Sequence, residues 1–162
     1  RISVPITAGE NEFGVSGFRE LIRAGAVDII QCDVARAGGI SEANTVAKMA
    51  TDAGLRVAPH TWNDAVAINA NAQIVAAYDG ITVEMDQTGN PFIEALVEPR
   101  LAVDDGSIEL SPDSGLGLGL QEDLLDRYQL PNPPDVPGGR YSDMVFGGAA
   151  FYTPPGPYSE IQ

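Results

Sequence analysis

A repeat constrains this chain more than any other feature of its sequence. Through roughly the first hundred residues, a short apolar strand, a polar or glycine-containing loop and a helix with apolar residues at helical spacing succeed one another. When a helix separates each strand from the next, the strands run parallel and the helices cross over the sheet. The fold class expected is therefore α/β, with a parallel sheet built from βα units.

The first unit reads as a strand over residues 2–6, a loop from Gly9 to Gly14, and a helix from about Ser16 to Ala24. Phe18, Leu21 and Ile22 mark its buried face and Gly25 its stop. The second has a strand over residues 27–32, then Gly38-Gly39, then a helix that Ser41 is expected to cap and that runs to about Ala53. Val46, Ala47, Met49 and Ala50 supply its apolar stripe, Glu42 favours its start, and Gly54 ends it. The third comprises a strand over residues 55–58, Pro59-His60, a helix capped by Asp64 and reaching about Tyr78, and a turn at Asp79-Gly80. The fourth strand is expected over residues 81–85, with a poorly defined helix after Gly89-Asn90-Pro91.

Past residue 95 the pattern changes. Residues 99–110 read as extended with a turn at Asp105-Gly106, the stretch SPDSGLGLGL is glycine-rich, and residues 121–128 form one short amphipathic helix. Proline and glycine dominate from Leu130 onward, which excludes regular structure of any length there. Three parts follow: βα units over residues 1–95, a linking segment over 96–130, and a tail over 131–162.

Each strand ends in a residue that a buried strand does not select for packing. These are Glu10 in AGEN, Asp33 in QCDVARAGG, His60 in APHTW and Glu84 in VEMD, spaced 23, 27 and 24 residues apart. That spacing is about the length of one βα unit, so the four side chains leave one face of a parallel sheet, the carboxyl-end face where ligands bind in such folds. Singly, each has an ordinary structural alternative: a strand-end carboxylate often caps a helix or pairs with a cation, and His60 can simply fix its loop. The shared period favours function.

Asp33, one strand from His60, can accept the Nδ1 hydrogen bond. This sets the tautomer and leaves Nε2 to exchange protons. Glu10 offers a hard oxygen of the kind Mg²⁺ accepts, although one carboxylate does not specify a site. Glu84 can hydrogen-bond a substrate carboxylate oxygen or another polar group.

The bulk properties narrow the partners. With 9 basic and 23 acidic residues the net charge is −14, which repels nucleic-acid phosphates and anionic lipid. No apolar run approaches the roughly 18 residues of a membrane helix, and the first residues lack the form of a signal peptide. The single Cys32 excludes an internal disulfide and suits a reducing compartment, the cytoplasm. The chain opens at Arg1 directly in a predicted strand, so a preceding portion is expected. Four parallel strands alone would leave open edges and a bare inner face.

In the order GEN, D-x-x-x-x-GGI, PH and then Glu84, the chain resembles the mandelate racemase subgroup of the enolase superfamily, over roughly residues 2–128. The resemblance implies the second half of a (β/α)8 TIM-type barrel, strands five to eight. It also implies that the stretch from Pro99 to Leu125 leaves the barrel to complete an α+β capping domain. In that family the fifth strand carries the last of three carboxylate ligands of Mg²⁺, the sixth and seventh an Asp-His dyad, and the eighth a Glu. These roles fall on Glu10, Asp33, His60 and Glu84 respectively.

The family's other two metal ligands and its lysine base lie on earlier strands, before Arg1. Lys48, the only lysine here, falls within a predicted helix and cannot be that base. The muconate-lactonizing subgroup bears a lysine where this chain has Asp33, which disfavours cycloisomerisation. Implied overall is Mg²⁺-assisted removal of the proton next to a carboxylate through an enediolate. The expected outcome is dehydration of a sugar acid to a 2-keto-3-deoxy acid by a full-length homo-oligomer, with these residues alone inactive. The alternatives are a racemase or epimerase of a 2-hydroxy acid and a non-catalytic α/β binding module.

Overall fold

The structure, a computed structural model, describes residues 3–78 and 81–128. The start of the first predicted strand, the Asp79-Gly80 turn and the tail over 131–162 lie outside the described residues.

Strands β1 (Thr7–Ala8), β2 (Ile29–Ile30) and β3 (Arg56–Val57) form a parallel sheet in chain order. Thr7 sits opposite Ile29, and Ile29 opposite Arg56. Helix α1 (Gly14–Ala24) links β1 to β2, α2 (Val34–Ala37) and α3 (Ile40–Asp52) link β2 to β3, and α4 (Ala65–Ala76) follows β3. The first three of the four βα units read from the sequence are observed.

Burial explains the arrangement. Ile30 and Cys32 are fully buried while Gln31 between them is only half-buried, the alternation expected of a strand with one face against helices. On the helix side, Phe18 of α1 and Ala43, Val46, Ala47 and Ala50 of α3 lose all contact with water. The alanines let α3 lie close to the sheet. The residues predicted to form the buried faces of the first two helices, including the half-buried Leu21, Ile22 and Met49, all belong to or border this core.

Local details differ from expectation for identifiable reasons. Among the described residues, pairing of the first strand begins at Ile6, whose carbonyl accepts from Asp28 N at 2.8 Å. Pro5 has no N–H to contribute to a ladder. Ser41 is not the cap of α3: the N-cap is Gly39, two residues earlier, and Ser41 lies in the first turn. Gly38 (φ 115°) ends the unforeseen helix α2 and Gly39 (φ 103°) starts the next, so two residues in the region open to glycine replace a loop. A Cβ at Gly38 would meet Glu42 Cγ at 2.9 Å.

Residues 81–85, predicted as a fourth strand, form no ladder among the described residues. Side chains hold them instead. Thr61 Oγ1 donates to the Glu84 carbonyl, and Gln31 Nε2 to the Glu84 side chain.

Further on, α5 (Pro91–Glu94) is capped by Asn90, whose Oδ1 accepts from Phe92 N at 3.0 Å. Strand β4 (Val97–Glu98) follows. Then β5 (Val103–Asp104) and β6 (Ser107–Ile108) make a hairpin through Asp105-Gly106, with φ values of 45° and 74° as a type I′ turn demands. Strand β7 (Gly119–Leu120) returns antiparallel to β4, and α6 (Glu122–Tyr128) closes the described chain. Ala65, Leu96 and Val97 form a second small core with Phe92, Leu118 and Leu124 around it. The chain divides into one compact unit over residues 1–124 and a second over 125–162, of which only residues 125–128 of α6 are described.

Candidate active site

The sheet register places the site. Ile29 faces Arg56, so four residues further along each strand direction Asp33 and His60 reach equivalent positions, and from Thr7 the same count reaches Asn11, next to Glu10. His60 Nδ1 lies 3.1 Å from Asp33 Oδ2, and His60 Nε2 lies 3.5 Å from Glu10 Oε2. Three of the four strand-end residues thus meet at one imidazole. A carboxylate can only accept, so Nδ1 carries the proton shared with Asp33 and Nε2 faces Glu10.

The environments of the two carboxylates differ. The Asp33 side chain is fully buried, His60 is 13% exposed and Glu10 is 50% exposed. Asp33 is also the N-cap of α2, its Oδ1 accepting from Ala35 N at 2.9 Å. The structural and functional readings of this residue are therefore compatible, because one oxygen serves the helix and the other serves the histidine.

Glu10 follows Gly9, whose φ of 127° turns the chain out of the sheet; a Cβ there would lie 2.9 Å from Phe18 Cε1. The Glu10 carboxylate accepts from Asn11 Nδ2 at 3.3 Å and, with Glu12 and Gln31, lines an opening of about 430 Å³.

Glu84 makes no hydrogen bond or ion pair with the other three. Gln31, at the end of β2, donates to its carboxylate, while Thr61 takes its carbonyl. It borders a second opening of about 430 Å³ with His60, Trp62 and Asp86, in which the indole of Trp62 is 73% exposed. Gln31, Asn63 and Asn71 are not among the strand-end residues that the sequence pattern marks. A polar residue inside the run Ile29-Ile30-Gln31-Cys32 and an asparagine inside the apolar helix α4 were the available signals.

Among the described residues, no group of three His, Cys, Asp or Glu side chains is arranged to hold a metal ion. Glu10, half-exposed and presenting hard oxygens, fits one ligand of a Mg²⁺ site but cannot define the site by itself. Lys48 lies on α3, away from any strand end, and its ammonium pairs with Asp52 at 2.8 Å, which raises its pKa. Burial pushes the Cys32 thiol up to about 11.

Comparison with known proteins identifies the fold. Residues 1–124 match the family described as enolase C-terminal domain-like. The chain is 35% identical over 139 residues to the D-galactarolactone cycloisomerase of Agrobacterium fabrum, covering 80% of this chain and 37% of that protein. It is 32% identical to the D-xylonate dehydratase of Haloferax volcanii, covering 79% and 31%. The solved structure of a mandelate racemase/muconate lactonizing enzyme-like protein from Rubrobacter xylanophilus superposes with a TM-score of 0.73 at 34% identity, over 80% of this chain and 33% of that one. The chain spans roughly a third of the length of these relatives. One of these relatives is a cycloisomerase, the reaction that Asp33 in place of a lysine disfavours. The parallel βα units and these matches together show that the chain belongs to the enolase superfamily, as the C-terminal barrel half of the mandelate racemase/muconate lactonizing enzyme type.

Proposed function

We propose that the protein carrying this chain is a Mg²⁺-dependent enzyme that removes the proton α to the carboxylate of a sugar acid and eliminates a β-hydroxyl as water, leaving a 2-keto-3-deoxy acid. The observation that carries this reading is His60, held through Nδ1 by a buried carboxylate while Nε2 stays at the carboxyl-end face of the sheet. A histidine so held has one nitrogen fixed and one available, the requirement for general acid–base work. His60 Nε2 either accepts the α-proton or delivers a proton to the departing hydroxyl, and Asp33 orients the ring. Glu84, aimed by Gln31, contacts the substrate carboxylate or a hydroxyl. Mg²⁺, with Glu10 among its ligands, supplies positive charge where negative charge develops on the substrate carboxylate. Residues 96–130 are assigned to the segment that leaves the barrel for the capping domain. The free thiol of Cys32 fits a cytoplasmic enzyme.

The relatives named as a xylonate dehydratase and a galactarolactone cycloisomerase support a sugar-acid substrate. The second of these favours cycloisomerisation as the competing outcome. Screening the full-length enzyme against sugar acids and their lactones with Mg²⁺ separates the two. Keto-acid product means dehydration, lactone isomerisation without keto acid means cycloisomerisation, and loss of optical rotation alone means racemisation. No turnover of any member, and no exchange of α-protons with deuterated solvent, would leave the non-catalytic binding module.

A further inference from the structure

We propose that Asn63 and Asn71 are positioning residues that hold the Asp33 carboxylate in the orientation in which it receives the His60 Nδ1 proton. The proposal rests on the role given to His60 above and extends it to two residues that never face the substrate.

Asn71 is fully buried in α4 and makes three hydrogen bonds. Its Oδ1 accepts from Val34 N at 2.9 Å, while its Nδ2 donates to Asp33 Oδ1 at 3.1 Å and to the His60 carbonyl at 3.0 Å. One partner is an obligatory donor and the other two are acceptors, so the amide has only one orientation that satisfies all three. This single side chain therefore ties the loop after β2 to the loop after β3 and sets the separation of the two residues of the pair. Asn63, three residues after the histidine, donates through Nδ2 to Asp33 Oδ2 at 2.8 Å.

The tally on Asp33 is then complete. Oδ1 accepts from Ala35 N and Asn71 Nδ2, and Oδ2 from Asn63 Nδ2 and His60 Nδ1. An ionised carboxylate has about four acceptor sites, and each is taken. Three of the four donors have no proton-transfer role and stop the carboxylate from turning, and Asn71 holds the His60 backbone as well. A carboxylate free to rotate about its Cβ–Cγ bond could present Oδ2 off the imidazole plane, and the histidine would lose its tautomer preference. In an interior of low dielectric such a network also strengthens each of its members.

The test uses the full-length protein as wild type, Asn63→Ala and Asn71→Asp, each also combined with His60→Asn. Hydrogen–nitrogen correlation spectra identify the His60 imidazole as the signal lost in His60→Asn and report its tautomer. Asn63→Ala is expected to convert a single Nδ1–H tautomer into a mixture. It should lower kcat by up to about 100-fold while KM stays within about twofold, and add nothing to the loss caused by His60→Asn. Asn71→Asp keeps the acceptor for Val34 N but sets a carboxylate against Asp33, and should do the same more severely. Should that variant fail to fold, Asn63→Ala, at a half-buried site, decides alone.

An unchanged tautomer in Asn63→Ala overturns the proposal. So does a rate loss that multiplies the loss of His60→Asn, because an effect acting through His60 must vanish when His60 is gone. Were the wild type to turn over no sugar acid, the proposed activity would fall, and the tautomer measurement would still decide the positioning role.

Discussion

His60 is placed between two carboxylates of opposite character, and each contact predicts a separate loss. Nδ1 meets a fully buried Asp33 at 3.1 Å, a contact that orients; Nε2 meets a half-exposed Glu10 at 3.5 Å, a contact open to ligand and solvent. Replacing His60 by Asn keeps a donor near Asp33 but removes the exchanging nitrogen. Exchange of the substrate α-proton with deuterated solvent in the full-length enzyme is expected to slow by about 10²- to 10⁴-fold, and near-wild-type turnover would remove His60 from the mechanism. Glu10→Gln keeps the shape and deletes the charge, so Mg²⁺ should bind more weakly in a calorimetric titration; an unchanged isotherm would end the assignment of Glu10 as a ligand. These three residues were legible in the sequence because polar side chains at strand ends recur at the βα period. The amides around them were not: Asn63 and Asn71 on Asp33, and Gln31 on Glu84, carry no spacing signal, and only the tertiary packing of the strand ends reveals what they touch.

At the scale of elements, helices were read more closely than strands. α1, α3 and α4 begin within two residues of expectation, since helical periodicity and capping chemistry are local. Asp64 caps α4 as predicted, its Oδ1 accepting from Val66 N at 2.9 Å and Ala67 N at 3.0 Å. Asp64→Ala is expected to cost about 1 kcal/mol in denaturant unfolding, with an unchanged midpoint showing the cap to be dispensable. The strands shrank to two-residue ladders, and the segment over 81–85 made none among the described residues. Ladder pairing depends on what lies alongside, and Thr61 takes the Glu84 carbonyl that a neighbouring strand would otherwise use. The hairpin at Asp105-Gly106 was visible because the dipeptide itself favours the positive φ values that the turn requires.

For the molecule as a whole, the core around Cys32 links stability to pH. Burial raises its thiol from 9.0 to about 11, so the folded state keeps a proton that the unfolded chain releases. Above pH 9 the unfolded state binds fewer protons, and stability should fall as pH rises from about 9 to about 11. Equilibrium unfolding at several pH values should show this decline in the native protein and a weaker one in Cys32→Ala; identical slopes would mean the thiol does not contribute. The net charge of −14, readable from composition alone, is a separate global property that bears on partners and not on fold. By itself the sequence determined the βα order, the parallel sheet, the helix faces and the strand-end set, because periodicity, capping and turn chemistry act over a few residues. The tertiary structure alone decided that Glu10, Asp33 and His60 meet at one imidazole while Glu84 stands apart on Gln31 and Thr61. The reason is that sheet register and the buried amide of Asn71 join residues up to 38 positions apart, and no local pattern encodes which of them touch.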